Sequence, residues 1–156
     1  MNTSTTITLP NIGDKVYIRG MLSGNNSGYN NTRFKMTGKI AAYGNCNAIW
    51  DYQDLNAPLK EGCGRNMFNC CTSLTTAPAL PATTLTWKCY QGMFNNCTKL
   101  NHIICLATDI SAADCTTGWI YNAASTGTFV KHPDMNDWFT GTDGIPSGWT
   151  VEDAEL

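Results

Sequence analysis

The sequence predicts an α+β solenoid: a short stack of rungs about 26 residues long, with a β-rich N-terminal cap and a small C-terminal cap. Three observations predict it. A block recurs: Cys63-Gly64-Arg65-Asn66-Met67-Phe68-Asn69-Cys70-Cys71-Thr72-Ser73-Leu74 returns as Cys89-Tyr90-Gln91-Gly92-Met93-Phe94-Asn95-Asn96-Cys97-Thr98-Lys99-Leu100, an offset of 89 − 63 = 26. Within each block the apolar residues keep helical spacing. Each block then runs into an extended stretch. One such unit cannot bury its own apolar face, so units must stack.

The elements follow in chain order. Residues 1–43 are expected to form the β-rich cap. Its strands are Thr6-Ile7-Thr8-Leu9, Lys15-Val16-Tyr17-Ile18, Arg33-Phe34-Lys35-Met36 and Lys39-Ile40-Ala41-Ala42-Tyr43, with a Gly/Asn-rich loop around Tyr29. This cap should cover the apolar end of the stack and its open strand edge.

Residues 44–126 are expected to form the solenoid. A faint first copy places Tyr43, Cys46 and Ile49 where Phe68, Cys71 and Leu74 stand in the first good copy. A worn third copy begins at Cys115, again 115 − 89 = 26 residues on, with Trp119-Ile120 replacing Met-Phe. Cys63, Met67, Cys71 and Leu74 fall at i, i+4, i+8 and i+11, which predicts a helical turn. Cys89, Met93, Cys97 and Leu100 repeat the stripe. Pro78 and Pro81 then forbid helix. The counterpart Leu100-Asn101-His102-Ile103-Ile104-Cys105-Leu106 reads as a strand. Leu74, Ala77 and Leu80 match Leu100, Ile103 and Leu106 as the inward set. The predicted core is therefore Met67, Phe68, Cys71, Leu74, Met93, Phe94, Cys97, Leu100, Ile103 and Leu106.

Residues 127–156 are expected to form the C-terminal cap and tail. Thr128-Phe129-Val130-Lys131 is a strand. Asp134-Met135-Asn136-Asp137-Trp138 is a helical turn with Asp134 as its N-cap. Trp149 and Val151 fold back as a last strand, and the acidic final five or so residues fray.

These motifs resemble a known family, the BspA-like, treponemal-type leucine-rich repeats of surface proteins in gut Bacteroidetes and their phages. That family alternates a Leu-x-x-Ile-x-Ile-Pro strand with an Ala-Phe-x-x-Cys turn. Leu74-Thr75-Thr76-Ala77-Pro78-Ala79-Leu80-Pro81 answers the first part. Met67-Phe68-Asn69-Cys70-Cys71 and Met93-Phe94-Asn95-Asn96-Cys97 answer the second. The resemblance spans roughly residues 7–151. It implies a leucine-rich-repeat stack that serves adhesion or ligand binding at a surface.

Composition narrows the function. Charged residues are only 14% of the chain, against about a quarter in an average domain. Thr, Asn, Ser and Gly must then carry the surface, which suits an extracellular, cell-surface or virion protein. The net charge of −2 and the lack of a Lys/Arg cluster argue against nucleic acid. No apolar run reaches the roughly 18 residues of a membrane span. Met1-Asn2-Thr3-Ser4-Thr5-Thr6 lacks the basic and apolar regions of a signal peptide. Display would then need a leader outside this sequence or another route, such as a phage particle.

The eight cysteines contain no Cys-x-x-Cys, so neither a metal nor another cofactor is expected. Cys63, Cys89 and Cys115 should stack in register, as should Cys71 and Cys97. Neighbouring helices about 8–10 Å apart are too distant for a disulfide, whose Cα atoms lie within about 7 Å. Reduced, buried thiols follow. A cysteine nucleophile with His102 or His132 is the sharpest enzyme reading. Packing explains the repeated cysteines better, and His102 has the outward parity. Asp51/Asp54 and Asp134/Asp137 lie at turns or helix starts. No catalytic residue is assigned.

Trp119, Trp138 and Trp149 are expected to fill the core. Trp87 and Tyr90 are the leading candidates for a ligand-stacking surface, with Trp50 and Tyr52 behind them and the loop at Tyr29 as a second surface. The predicted function is a non-catalytic adhesion or ligand-binding module, facing a host or bacterial surface protein or a glycan. The alternative is a fibre or decoration component of a phage virion, which would form a homo-oligomer.

Overall fold

The computed structural model describes residues 6–19, 33–38 and 40–156. Among them are one four-residue helix, α1 (Asn47–Trp50), and three strands, β1 (His102–Cys105), β2 (Gly127–Lys131) and β3 (Trp149–Asp153). The strands form one parallel sheet in chain order. The chain is therefore a small, mostly strand-and-coil protein, not an α+β solenoid.

The predicted helices fail for a definite reason. Their apolar spacing is four residues, not 3.6, and the backbone enters the left-handed region at every fourth residue. Gly62, Asn66 and Cys70 do so in the first copy, Lys88, Gly92 and Asn96 in the second, and Asp114, Gly118 and Asn122 in the third. An α-helix of L-residues cannot hold a left-handed residue in each turn. The segments are instead rows of linked turns. The amides of Arg65, Met67, Asn69 and Cys71 each donate to the carbonyl three residues back. The alternate amides leave the copy: Gly64 donates to Cys89 O, Asn66 to Gln91 O, Phe68 to Met93 O and Cys70 to Asn95 O, at 2.8–2.9 Å. Tyr90, Gly92, Phe94 and Asn96 repeat this towards the third copy. A four-residue period still sends Cys63, Met67 and Cys71 to one side, so these core predictions survive the change of conformation. All are buried.

The N-terminal cap also differs. Residues 6–19 are exposed, and no strand forms among the described residues of 1–43. The loop at Tyr29 lies outside the described residues. Residues 33–38 and 40–46 lie along the first good copy: Phe34 N–H donates to Met67 O at 2.8 Å, Ala42 to Thr76 O and Cys46 to Ala79 O, both at 2.9 Å. Phe34, not Tyr43, stands against Phe68, with ring centroids 5.1 Å apart. Tyr43 is 81% exposed, because the segment that holds it faces Ala79 rather than the turn row.

On the sheet side, Thr76 bridges His102 and Leu80 bridges Cys105. Pro78 and Pro81 have no amide to donate, so only single pairs form before β1. Between those pairs the offset drops from 102 − 76 = 26 to 105 − 80 = 25. Strand alternation then buries Ile103, Cys105 and Ala107, while Leu106 is only half-buried and leaves the predicted core.

At the C-terminal end, residues 134–138 form no helix, and the Asp134 amide donates to His132 Nδ1 at 3.1 Å. The tail does not begin to fray at Glu152. Asp153 is the last residue of β3, its carboxylate meets Lys131 Nζ at 2.5 Å, and the Ala154 amide donates to Lys131 O at 2.8 Å.

Two aromatic columns run through the core. Phe34, Phe68 and Phe94 stack at 5.1 and 5.3 Å. Trp50, Tyr90, Trp119 and Trp138 follow at 6.4, 6.3 and 5.4 Å. Tyr90 occupies the repeat position of Gly64, 90 − 64 = 26, and its ring fills the space above that glycine. A Cβ at Gly64 would stand 3.2 Å from the Tyr90 and Trp50 rings and 2.9 Å from the Cys89 carbonyl.

Candidate ligand-binding surface

The turn rows fix which aromatic residues reach solvent. Trp87 starts the second row. Its carbonyl accepts the Gly62 amide at 2.9 Å, and the Lys88 amide donates onward to Ala113 O at 3.3 Å. The backbone beneath the indole is thus held from both neighbouring copies. Trp87 is 43% exposed. Lys88 takes the left-handed conformation, which carries its ammonium back over the indole, 4.5 Å from the ring centroid. Asp114, at the equivalent position of the third copy, lies 3.7 Å from the same ammonium. A cation over a ring face and a carboxylate at its side make a compact amphipathic ledge. Of the five tryptophans, all within the described residues, only Trp87 is exposed.

The other predicted positions divide. Tyr90 is 0% exposed and leaves the candidate surface, because Gly64 makes room for its ring inside the stack. Burial pushes its phenol pKa up. Among the described residues its hydroxyl has no hydrogen-bond partner. Trp50 is also buried, on α1 against Tyr90, and leaves with it. Tyr52 is exposed, with the Arg19 guanidinium 4.9 Å above its ring. Tyr29 lies outside the described residues. Tyr52 and Trp87 make no ring contact with each other.

Sequence reasoning missed two features. One is a row of amides on the turns: Asn122 Nδ2 donates to Asn96 Oδ1 at 2.9 Å, and Asn95 Nδ2 donates to Gly118 O at 3.3 Å. Asparagines at an offset of 122 − 96 = 26 were its visible signal. The other is a cleft of about 260 Å³ at the C-terminal end, lined by Lys131, Met135, Trp138, Ile145, Trp149 and Val151. No motif announces it, since four separate segments converge there.

The cysteines form no disulfide; seven are buried and Cys70 is exposed. Cys71 and Cys97 hold equivalent places: their thiols donate to Phe34 O at 3.1 Å and Phe68 O at 3.0 Å. Burial pushes the Cys89, Cys97 and Cys105 thiols up to about 12, so they stay protonated at neutral pH. The exposed Cys70 thiol faces Asn69 Oδ1 at 2.8 Å rather than an imidazole. Among the described residues no group of three or more His, Cys, Asp or Glu side chains could hold a metal ion. Nor is any helix there long and apolar enough to cross a membrane. Comparison with known families, characterised proteins and solved structures finds no match to the chain.

Proposed function

We propose that the protein is a non-catalytic binding module displayed outside the cell, and that the Trp87 ledge contacts a surface glycan. The exposure of Trp87 carries this reading. The fold buries or half-buries every other tryptophan, yet leaves this one in water on a backbone clamped from both sides. An indole stacks on the apolar C–H face of a sugar. The Lys88 ammonium and Asp114 carboxylate beside it supply a donor and an acceptor for hydroxyls. The resemblance of roughly residues 7–151 to surface-displayed repeats and the low charge content support display.

A glycan array probed with the protein and with Trp87→Ala tests the proposal. Binding should fall at least about tenfold, while stability stays within about 0.5 kcal/mol. Unchanged binding by the variant overturns the assignment. A second reading, a fibre or decoration part of a virion, is favoured by the free edge of β3, whose residues beyond Trp149 are exposed.

A further inference from the structure

The two ends of the molecule carry complementary unfinished surfaces, and they point to a partner. In the sheet, Ile103 pairs with Phe129 and Phe129 with Val151, making one inward column. The first two are fully buried, whereas Val151 is 45% exposed. The 260 Å³ cleft opens beside it, walled by Trp138, Ile145 and Trp149. Among the described residues only β2 pairs with β3, so its other edge is open. An open edge beside an uncovered apolar column is a template for another strand.

At the opposite end, residues 6–19 are exposed throughout. Lys15-Val16-Tyr17-Ile18-Arg19 has strand-forming residues at its centre, and Tyr17 is 88% exposed. Among the described residues the only backbone hydrogen bond of this arm is its own turn, Asp14 N–H to Asn11 O at 3.2 Å. Charge matches across the two ends. Lys15 and Arg19 bracket the apolar triplet, while Glu152 and Glu155 mark the edge strand and tail, beside Asp153, which Lys131 already holds.

We infer that Lys15-Val16-Tyr17-Ile18-Arg19 of a second copy docks as an added strand on the free edge of β3, with one apolar side chain entering the cleft beside Val151. Arg19 lies on Tyr52, beside the first rows of turns, while β3 closes the far end of the sheet. Copies placed end to end bring the root of one arm to the edge of the next. The contact joins two different surfaces, so it builds an open chain or a closed ring rather than a two-fold dimer.

Sedimentation and light scattering of the full chain test this. The wild-type mass should rise with concentration. The arm variant Val16→Asp/Ile18→Asp and the edge variant Val151→Asp should each remain monomeric, and an equimolar mixture should give a discrete heterodimer. Each variant retains the surface the other lacks. Glu152→Lys/Glu155→Lys should weaken association about tenfold. If Val151→Asp does not fold, a synthetic peptide of residues 12–19 replaces it and should dissociate wild-type assemblies. A wild-type monomer at about millimolar concentration overturns the inference. So does a mixture of variants that fails to pair, or a peptide without effect. An arm that folds onto its own β3 would leave a monomer whose melting temperature drops in the arm variant, and that result also overturns it. None of these readouts depends on the glycan.

Discussion

The turn rows and the sheet face the same core but keep order differently. In the turn rows every alternate amide crosses to the next copy, and the left-handed residues recur without a slip through three copies. The sheet side slips: its pairs shift from 26 to 25, and β2 meets β3 at 149 − 127 = 22. Prolines break it further. The comparison teaches that the repeat length is enforced by the turns, while the strands accommodate.

The largest expected effect contrasts one buried ring with one sheet residue. Phe94→Ala should cost about 3–5 kcal/mol in chemical denaturation, since the ring is fully buried and stacked 5.3 Å from Phe68. Leu106→Ala, on the slipped side and half-buried, should cost only about 1 kcal/mol. Equal losses would show that the sheet shares the enforcement.

A finer contrast lies within the turn rows. Gly92 and Gly118 hold equivalent positions with φ of 62° and 60°. Alanine at either should cost about 1–2 kcal/mol for the left-handed backbone. At Gly92 the new methyl also overlaps Asn66 Oδ1, whereas at Gly118 the nearest atom is Asn95 Nδ2 at 3.7 Å. Gly92→Ala should therefore melt lower than Gly118→Ala. The reverse order would mean that Asn66 swings away without loss.

At neutral pH the smallest effect lies in the thiols. Folding raises Cys89, Cys97 and Cys105 to about 12, above the roughly 8.5 of an unfolded thiol. Folding thus favours their protonated forms. Their contribution is complete below about pH 8.5 and is lost as pH climbs towards 12. Denaturant midpoints should be flat up to about pH 8.5 and fall as pH rises beyond it. At neutral pH an alkylating reagent should label one thiol of the native protein quickly, Cys70, with a stability change within about 0.5 kcal/mol. Rapid labelling of a second thiol would contradict the close packing of the rows.

Much of the core was legible because burial follows spacing. Met67, Phe68, Cys71 and Leu74 and their counterparts are all buried, and the strand at Phe129 forms. Conformation was less legible, because a period of four and a period of 3.6 agree over eleven residues. The discriminating signal was the Gly, Asn or Asp at seven of the nine left-handed positions. Leu106 was misplaced because the one-residue slip before β1 leaves no mark in composition. Tyr90 was misjudged for a different reason: the space that receives it is the missing side chain of Gly64, one copy earlier.

In the turn rows the amides that cross between copies all point the same way, from the earlier copy to the later, whereas on the sheet side amides such as Asn101 and Leu106 donate back to Thr75 O and Leu80 O. The turn rows therefore have polarity: their leading face offers carbonyls, their trailing face N–H groups. On the trailing face Asp143 receives the Gly118 amide at 2.6 Å, much as a side chain receives the free amides that start a helix. An extra unit spliced between two existing ones would meet a donor surface on one side and an acceptor surface on the other. Along the turn rows such a unit would leave the hydrogen-bonding pattern at both ends as it is.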